Sequence, residues 1–551
     1  MTDIRPHGSM LTDERIAAMT AAKLWPNRSA LDALAHALEH FPDRVYLTDH
    51  NSETTLTTTL SYRQIDRLSR RIAIGLSHFG VQRGDVVALQ LPNWWEFIAI
   101  HLACLRIGAI TNPLMPIFRE RELHFMLSYA ETKVLFVPRV FRGFEYLPMA
   151  QALAAEIETL KCVFAIGGHG DHDFADAFIA RRWEDQVSEM KLDNTPISPN
   201  DVIELCYTSG TTGQPKGVLH TANTLRAGVE SALRLGLDEK TVVLMASPLA
   251  HQTGFLYGML MPLVVGGRLV LQDIWDARQA ARLIHDEQVS FTMGATPFLS
   301  DLTESQGWGI YSPASLEYFV CAGAPIPRVL AKAAAATLGA KIVAGWGMSE
   351  NGLVTMTLPS DADDKVFGTD GVGWRGQEVR VVDEDARTVP FDTEGALQTR
   401  GCANFVGYLN KPEAYDVDDE GWFNTGDNAA MDADGYIRIT SRAKDIIIRG
   451  GENVPVVEVE ELLYRHPAVQ DAAIVAMPDP RLGERGCAFV SLKATQTLSF
   501  EDLQDYFQRE KLAKNYWPER LEIIEEFPRT PSGKIQKFEL REIAAKFSTG
   551  T

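Results

Sequence analysis

The segment from Tyr207 to Gly217, YTSGTTGQPKG, places four hydroxyls (Thr208, Ser209, Thr211, Thr212), three glycines (Gly210, Gly213, Gly217) and Lys216 in one short loop. Glycines let backbone N–H groups come close to an anion, and hydroxyls add donors for phosphate oxygens. The apolar run Val202 to Tyr207 predicts a strand feeding this loop. No Gly-Lys-Ser/Thr follows the four-residue spacer that a Walker A loop requires. The segment therefore predicts a nucleotide-triphosphate cradle of a different architecture, in preference to a plain Ser/Thr/Gly turn.

Four more segments carry side chains of the right type. Gly345 to Glu350, GWGMSE, offers an aromatic face in Trp346 for a purine, the Ser349 hydroxyl for a phosphate, and the Glu350 carboxylate for Mg²⁺ beside phosphate oxygens. Taken alone, a Glu after a Gly turn such as Glu350 is more often a solvated cap. Gly421 to Asp427, GWFNTGD, ends in a carboxylate able to accept both hydroxyls of a ribose; alone, Asp427 reads as a turn residue. Arg442 is placed to reach a ribose or a phosphate. In Pro528 to Lys534, PRTPSGK, a Pro/Gly-rich loop presents Lys534, either near a site or on the open surface.

The elements that must position these groups follow from periodicity. Helical periods run from Tyr62 to Phe79 and from Trp95 to Ile107, with a short apolar strand over Val86 to Leu91. The alternation resumes with strand Val242 to Ala246, strand Arg268 to Leu271, helix Ala277 to Gln288 and strand Phe291 to Gly294. Alternating strands and helices predict an α/β fold with largely parallel, helix-covered sheets. Beyond Thr369, glycines, aspartates and short β-like runs (Val379 to Asp383, Tyr436 to Ile439) predict a β subdomain. After SRAKDIIIRGGENV, from Ser441, the pattern becomes a compact α+β unit: helix Val456 to Arg465, strands Ala472 to Met477 and Cys487 to Leu492, helix Phe500 to Glu510. The boundary falls near Lys444, giving domains 1–443 and 444–551. The first residues, to about position 25, read either as a helix laid over the surface or as poorly ordered chain.

The chain has 551 residues, more than one core holds, so two or more domains are expected. A formal charge of −20 argues against a general nucleic-acid binder, which carries a basic face. Six scattered cysteines have no metal or redox spacing and read as reduced core residues. The polar N-terminus shows no signal-peptide core, and apolar stretches such as Phe255 to Val265 are too short to cross a bilayer. A cytoplasmic protein without stable membrane insertion is expected; a homo-oligomer is compatible with the sequence.

In this order, from about Leu31 to Leu540, these segments resemble the AMP-forming acyl-CoA synthetases, the adenylate-forming enzymes. HQTGFLYG, GATPFLSDL, DIIIRGGENV and DPRLGERG are most similar to bacterial short- and medium-chain fatty acyl-CoA ligases and cyclohexanecarboxylate-CoA ligases. The resemblance implies a large N-terminal domain of helix-covered sheets with a β subdomain, and a small mobile α+β C-terminal domain. ATP, Mg²⁺, coenzyme A and a small carboxylic acid are the implied reactants. Thr208 to Lys216 would wrap the β- and γ-phosphates. Gly323, Ala324 and Pro325, with Gly345, Trp346 and Gly347, would wall the adenine. Ser349 would meet a phosphate, Glu350 would hold Mg²⁺, and Asp427 would take the ribose hydroxyls, assisted by Arg442. Lys534 would bridge the acyl carboxylate and the α-phosphate, Lys444 would be the hinge, and Gly450 and Gly451 would line the coenzyme A tunnel. The chain departs from the family in Trp346, where tyrosine is usual, and Ser349, where threonine is usual; both keep the aromatic face or the hydroxyl.

The same resemblance puts the acyl pocket at His251, Phe255, Tyr257, Cys321, Ala322, Trp346 and Met348. The segment AHQTGF brings no carboxylate, so an uncharged apolar acid is expected. The bulk of Phe255 and Trp346 favours short or medium chains, or a ring. Lys534 stands in a Pro–four residues–Gly–Lys pattern that related enzymes acetylate, which makes a lysine acetyltransferase a candidate partner. Alternatives are an aryl-CoA ligase, a stand-alone adenylating enzyme that loads a carrier protein, and a non-catalytic nucleotide-binding protein.

Overall fold

The computed structural model describes residues 3–547 apart from 169, 171, 184–196, 209–214, 324–325, 443–444, 450–451 and 531–532. Two sheets dominate. The first runs Lys216–Thr221, Val202–Thr208, Ile110–Pro113, Val86–Leu89, Val134–Pro138, Cys162–Ile166. All its neighbours are parallel except the first pair, an antiparallel hairpin. The second runs Gly352–Met356, Lys341–Met348, Tyr318–Ala322, Phe291–Gly294, Val242–Met245, Arg268–Gln272, Val45–His50, Thr57–Ser61. Its interior is parallel and its two edge pairs are antiparallel.

A single core joins the two sheets through helices Tyr62–His78 and Trp95–Ile107. The second helix is buried from Glu96 to Ile107, as expected for a helix apolar all round. Fully burying each large apolar side chain contributes about 1.5–3 kcal/mol, so this helix fixes the spacing of the sheets. Its neighbour starts on a capping box, in which Ser61 and Gln64 satisfy each other's backbone N–H. Gly108 ends the buried helix in the left-handed region, where glycine carries no steric cost.

The predicted β subdomain is a four-stranded antiparallel sheet, Gln377–Val382, Gly395–Gly401, Phe423–Met431, Ile437–Arg442. The smaller C-terminal domain has its own five-stranded sheet, with Gly483–Leu492 between Val469–Asp479 and the parallel strand Arg520–Ile523. Helices Val456–Arg465, Phe500–Arg509 and Lys537–Phe547 cover it and close two separate small cores. It touches the large domain through Glu461, which pairs with Arg328 at 3.3 Å and Arg438 at 3.4 Å.

The N-terminal segment straps the large domain together. Helix Asp13–Ala21 carries Arg15, whose guanidinium donates to the carbonyls of Asn404 and Phe405 at 2.5 and 3.0 Å. Trp25 is buried and donates to the Cys402 carbonyl at 2.8 Å. The surface-helix alternative for these residues is the one observed. Among the described residues, no helix is long and apolar enough to cross a membrane.

Candidate active site

The groups that carry chemistry gather at the carboxyl ends of the parallel strands, where open α/β sheets place their ligands. Strand Tyr318–Ala322 lies parallel to Lys341–Met348, with Ala322 opposite Gly345, so CAG and GWG leave the sheet side by side. Gly347 must be glycine: an added Cβ would sit 1.8 Å from the Gly352 carbonyl. Gly323 has φ +88°, and a Cβ there would meet Lys534 Cε at 3.2 Å. Ala324 and Pro325 lie outside the described residues.

In the hairpin, Thr208 and Lys216 are directly opposed. Both ends of the glycine-rich loop are thus anchored in a sheet, while Ser209, Gly210, Thr211, Thr212 and Gly213 lie outside the described residues. Lys216 Nζ stands 4.7 Å from the centre of the Tyr408 ring. The Tyr408 hydroxyl donates to Glu350 Oε1 at 2.8 Å. Burial, then the Glu350 charge, raise the Tyr408 phenol far above its ordinary range, so it stays protonated and donates. Glu350 is itself buried, and its carbonyl accepts the Phe405 N–H at 2.6 Å. His220, on the strand after Lys216, donates Nε2–H to the Ser349 carbonyl at 2.7 Å. Burial pushes this imidazole down to about 4, so it is neutral near pH 7.

Two of the four β-subdomain strands contribute the next pair. Asp427 and Arg442 are opposed in the register of Phe423–Met431 and Ile437–Arg442. The Trp346 indole N–H donates to Asp427 Oδ2 at 3.0 Å. Trp346 is buried among Val354, Val381 and Leu397, so its N–H edge is committed to the carboxylate. Sequence reading saw an aromatic face here and missed the donor.

Lys534 reaches this site from the small domain. Its own N–H donates to Thr530 Oγ1 at 3.0 Å, and its carbonyl accepts the Thr530 N–H at 2.7 Å. Arg529 donates to the Gly533 carbonyl at 2.8 Å and pairs with Asp471 at 2.9 Å. The position of a Gly533 Cβ lies 3.4 Å from Phe298 and 3.5 Å from Pro297, both in the large domain. The lysine therefore rests on the Gly323 turn, close enough to act on His251. Desolvation, then the Lys534 charge, push His251 down to about 3. Lys444, Gly450 and Gly451 lie outside the described residues.

Of the residues expected at the acyl site, Cys321, Ala322 and Met348 lie at the same strand ends, and Phe255 and Tyr257 on the turn after His251. The π-helical turn Gly254–Leu260 buries Phe255 and Tyr257. The Phe255 ring meets His101 at 4.8 Å, and the Tyr257 hydroxyl accepts the Leu353 N–H at 2.8 Å. Cys321 is buried 3.8 Å from the Thr296 hydroxyl, and burial pushes its thiol up to about 12, leaving it unreactive. Ala322 and Met348 are half-buried at the strand ends. The segment AHQTGF has no carboxyl group of its own, but one from another strand meets it. Gln252 donates to Glu204 Oε2 at 3.2 Å across 48 residues of sequence. Sequence reading also missed Tyr408; its signal was the Phe-Val-Gly-Tyr run in FVGYLNKPE.

A single hard oxygen donor such as Glu350, linked through Tyr408 to Lys216, fits Mg²⁺, which keeps several waters and draws its other ligands from substrate phosphates.

The AMP-binding enzyme family matches residues 34–409, and the AMP-binding enzyme C-terminal domain matches residues 458–534. The chain is 35% identical to a medium-chain fatty-acid–CoA ligase of Escherichia coli (strain K12), covering 96% of this chain and 93% of that protein. It is 32% identical to a 2,3-dihydroxybenzoate-AMP ligase of Bacillus subtilis (strain 168), covering 96% of each. The fold superposes on the anthranilate CoA ligase AuaEII, solved with anthranoyl-AMP, at a TM-score of 0.85 and 25% identity, over 95% of this chain and 98% of that one. Motif order, fold and full-length similarity agree: the chain belongs to the AMP-binding enzymes, the adenylate-forming ligases.

Proposed function

We propose that this protein is an ATP-dependent carboxylate–CoA ligase for a medium-chain or ring-bearing acid. The observation that carries the reading is the docking of Lys534 on the Gly323 turn, beside His251, at the strand ends that also hold Trp346 and Glu350. A carboxylate is a poor electrophile. In the first half-reaction its oxygen attacks the α-phosphorus of ATP, the bond to the β-phosphate oxygen breaks, and pyrophosphate leaves. Two anions must approach, so positive charge between them lowers the barrier. Lys534 supplies it at the α-phosphate and the acyl carboxylate; Lys216 and the hydroxyls from Thr208 to Thr212 hold the β- and γ-phosphates. Mg²⁺, when bound at Glu350, would supply further neutralisation of phosphate charge. Asp427, held by Trp346 and assisted by Arg442, takes the ribose. Gly323 to Pro325 and Gly345 to Gly347 wall the adenine.

In the second half-reaction the coenzyme A sulfur attacks the acyl carbonyl carbon, the thiol loses its proton, and AMP leaves with the bonding pair. Lys534 then obstructs the thiol. Rotation of domain 444–551 about Lys444, bringing Gly450 and Gly451 to the tunnel, would clear the path. Acetylation of Lys534 would remove the charge used in the first step.

The similarity to a medium-chain fatty-acid–CoA ligase supports a medium-chain acid; an alicyclic acid such as cyclohexanecarboxylate is the ring-bearing form of the same proposal. The similarity to a 2,3-dihydroxybenzoate-AMP ligase favours a second reading, an aryl acid or delivery of the acyl group to a carrier protein. Pyrophosphate release with and without coenzyme A, over hexanoate, octanoate, palmitate, cyclohexanecarboxylate and benzoate, separates them. The proposal expects coenzyme A-dependent turnover on medium-chain or ring acids. Release indifferent to coenzyme A would favour carrier loading, and silence on every acid would contradict a ligase for this class.

A further inference from the structure

Glu204 stands in the middle of the apolar strand Val202–Thr208 and is fully buried. Its strand neighbours put Thr111 on one side and His220 on the other, in register. Residues paired in this way project from the same face of a sheet. On that face His101 meets the Thr111 hydroxyl at 2.9 Å and the Phe255 ring at 4.8 Å. Gln252, one residue past His251, reaches the same place and donates to Glu204 Oε2. A row of polar groups therefore runs inward from the residue that feels the Lys534 charge to the wall behind Phe255.

Three atoms of this row, Glu204 Oε1, Gln252 Oε1 and His101 Nε2, are enclosed and meet no hydrogen-bond partner among the described residues. Enclosed polar atoms left without a partner are costly, because their desolvation is not offset. Three such atoms, one of them on the ring that packs against Phe255, are a heavy penalty for a surface meant to receive only hydrocarbon. Burial pushes the Glu204 carboxyl up to about 8 and the His101 imidazole down to about 3, so both are neutral near pH 7. Neutral groups suit a neutral guest.

Resting on the ligase reading, we propose that Glu204, Gln252 and His101 form a polar floor of the acyl site that hydrogen-bonds a hydroxyl on the acid, remote from its carboxylate. A hydroxyl both donates and accepts, and so can meet a carboxylic acid, an amide oxygen and an imidazole nitrogen together. The acid is then a hydroxylated ring or chain, in place of the plain hydrocarbon acid that AHQTGF by itself suggests.

The test is kcat/KM of the full-length enzyme on matched acids: benzoate against 3- and 4-hydroxybenzoate, cyclohexanecarboxylate against 4-hydroxycyclohexanecarboxylate, hexanoate against 6-hydroxyhexanoate. A site built around a hydroxyl discriminates strongly against the analogue lacking it, so at least one hydroxylated member should lead its partner by about tenfold or more. Glu204→Met and Gln252→Leu should erase or invert that ratio, whereas Glu204→Gln should keep much of it. Melting temperatures of all three variants separate misfolding from lost recognition, and having two independent sites keeps the test decisive if one variant fails to fold. Turnover of the plain acids with no preference in any pair, or a preference untouched by Glu204→Met and Gln252→Leu, would overturn the floor and leave the three atoms to buried water only. No turnover on any acid would contradict the ligase reading, and the floor with it.

Discussion

An indole in place of a phenol at position 346 changes what the side chain can hold. The Trp346 N–H donates to the Asp427 carboxylate, and a hydrogen bond to a charged group contributes about 1.5–3 kcal/mol. On the proposed roles, Trp346→Phe should raise the KM for ATP about tenfold, with a smaller change in kcat. It should also narrow the preference for ATP over 3′-deoxy-ATP, because the carboxylate that reads the ribose loses its support. An unchanged KM and an unchanged preference would show that Asp427 needs no such anchor. At this scale dense motifs in the sequence point to Lys216, Glu350, Asp427 and Lys534, and the structure sets Lys216 beside Tyr408, Glu350 on the Tyr408 hydroxyl, Asp427 on the Trp346 indole and Lys534 against the Gly323 turn. Tyr408 and Glu204 escaped for a physical reason. Each acts through a partner far along the chain, 58 residues away for Tyr408 with Glu350 and 48 for Gln252 with Glu204. No local spacing encodes such a bond, although a carboxylate inside VIELC was itself a warning.

The elements followed periodicity closely, because burial on one face or on all faces dictates it. Helices Trp95–Ile107 and Val456–Arg465 and strand Phe291–Gly294 match their predicted bounds, while helix Ala277–Asp286 ends earlier than the predicted Gln288. Periodicity does not mark the hairpin strand Lys216–Thr221, because its Lys-Gly start belongs to the loop motif. That hairpin aligns His220, Glu204 and Thr111 across three strands, and the alignment has a pH consequence. The folded-state pKa of Glu204 is raised from 4.5 to about 8. Below the unfolded value both states are protonated and the group's contribution is fully present. As pH rises, the unfolded chain releases this proton first, so stability is lost until the folded pKa is passed. Glu204→Gln removes that loss. Thermal melts of both proteins from pH 5 to pH 9 should therefore show the variant gaining on the wild type as pH rises. A constant difference in Tm across that range would mean that Glu204 is not held neutral by burial.

For the whole molecule, the central feature is one domain laying a lysine into the site of the other. Glu461 on the small-domain helix Val456–Arg465 ties down this arrangement through Arg328 and Arg438. Its carboxylate is mostly enclosed while Arg328 is partly open, so each pair contributes modestly and is weakened by salt. Glu461→Gln should slow pyrophosphate release several-fold while thioester formation from a supplied acyl-adenylate holds steady, and raised salt should reduce the difference between variant and wild type. Equal slowing of both half-reactions would argue that Glu461 serves folding alone. The division into large and small domains was legible from the change of pattern after Ser441, because each domain closes its own core. How they dock was not legible, since docking is set by a few contacts between distant segments. The most direct measurement follows from it: both half-reactions of Lys534→Ala, assayed separately. The account predicts that acyl-adenylate formation falls by a hundredfold or more, roughly the effect of removing one preorganised charge, while thioester formation from supplied acyl-adenylate is largely retained. Equal loss of the two half-reactions, or adenylation that survives the substitution, would contradict it.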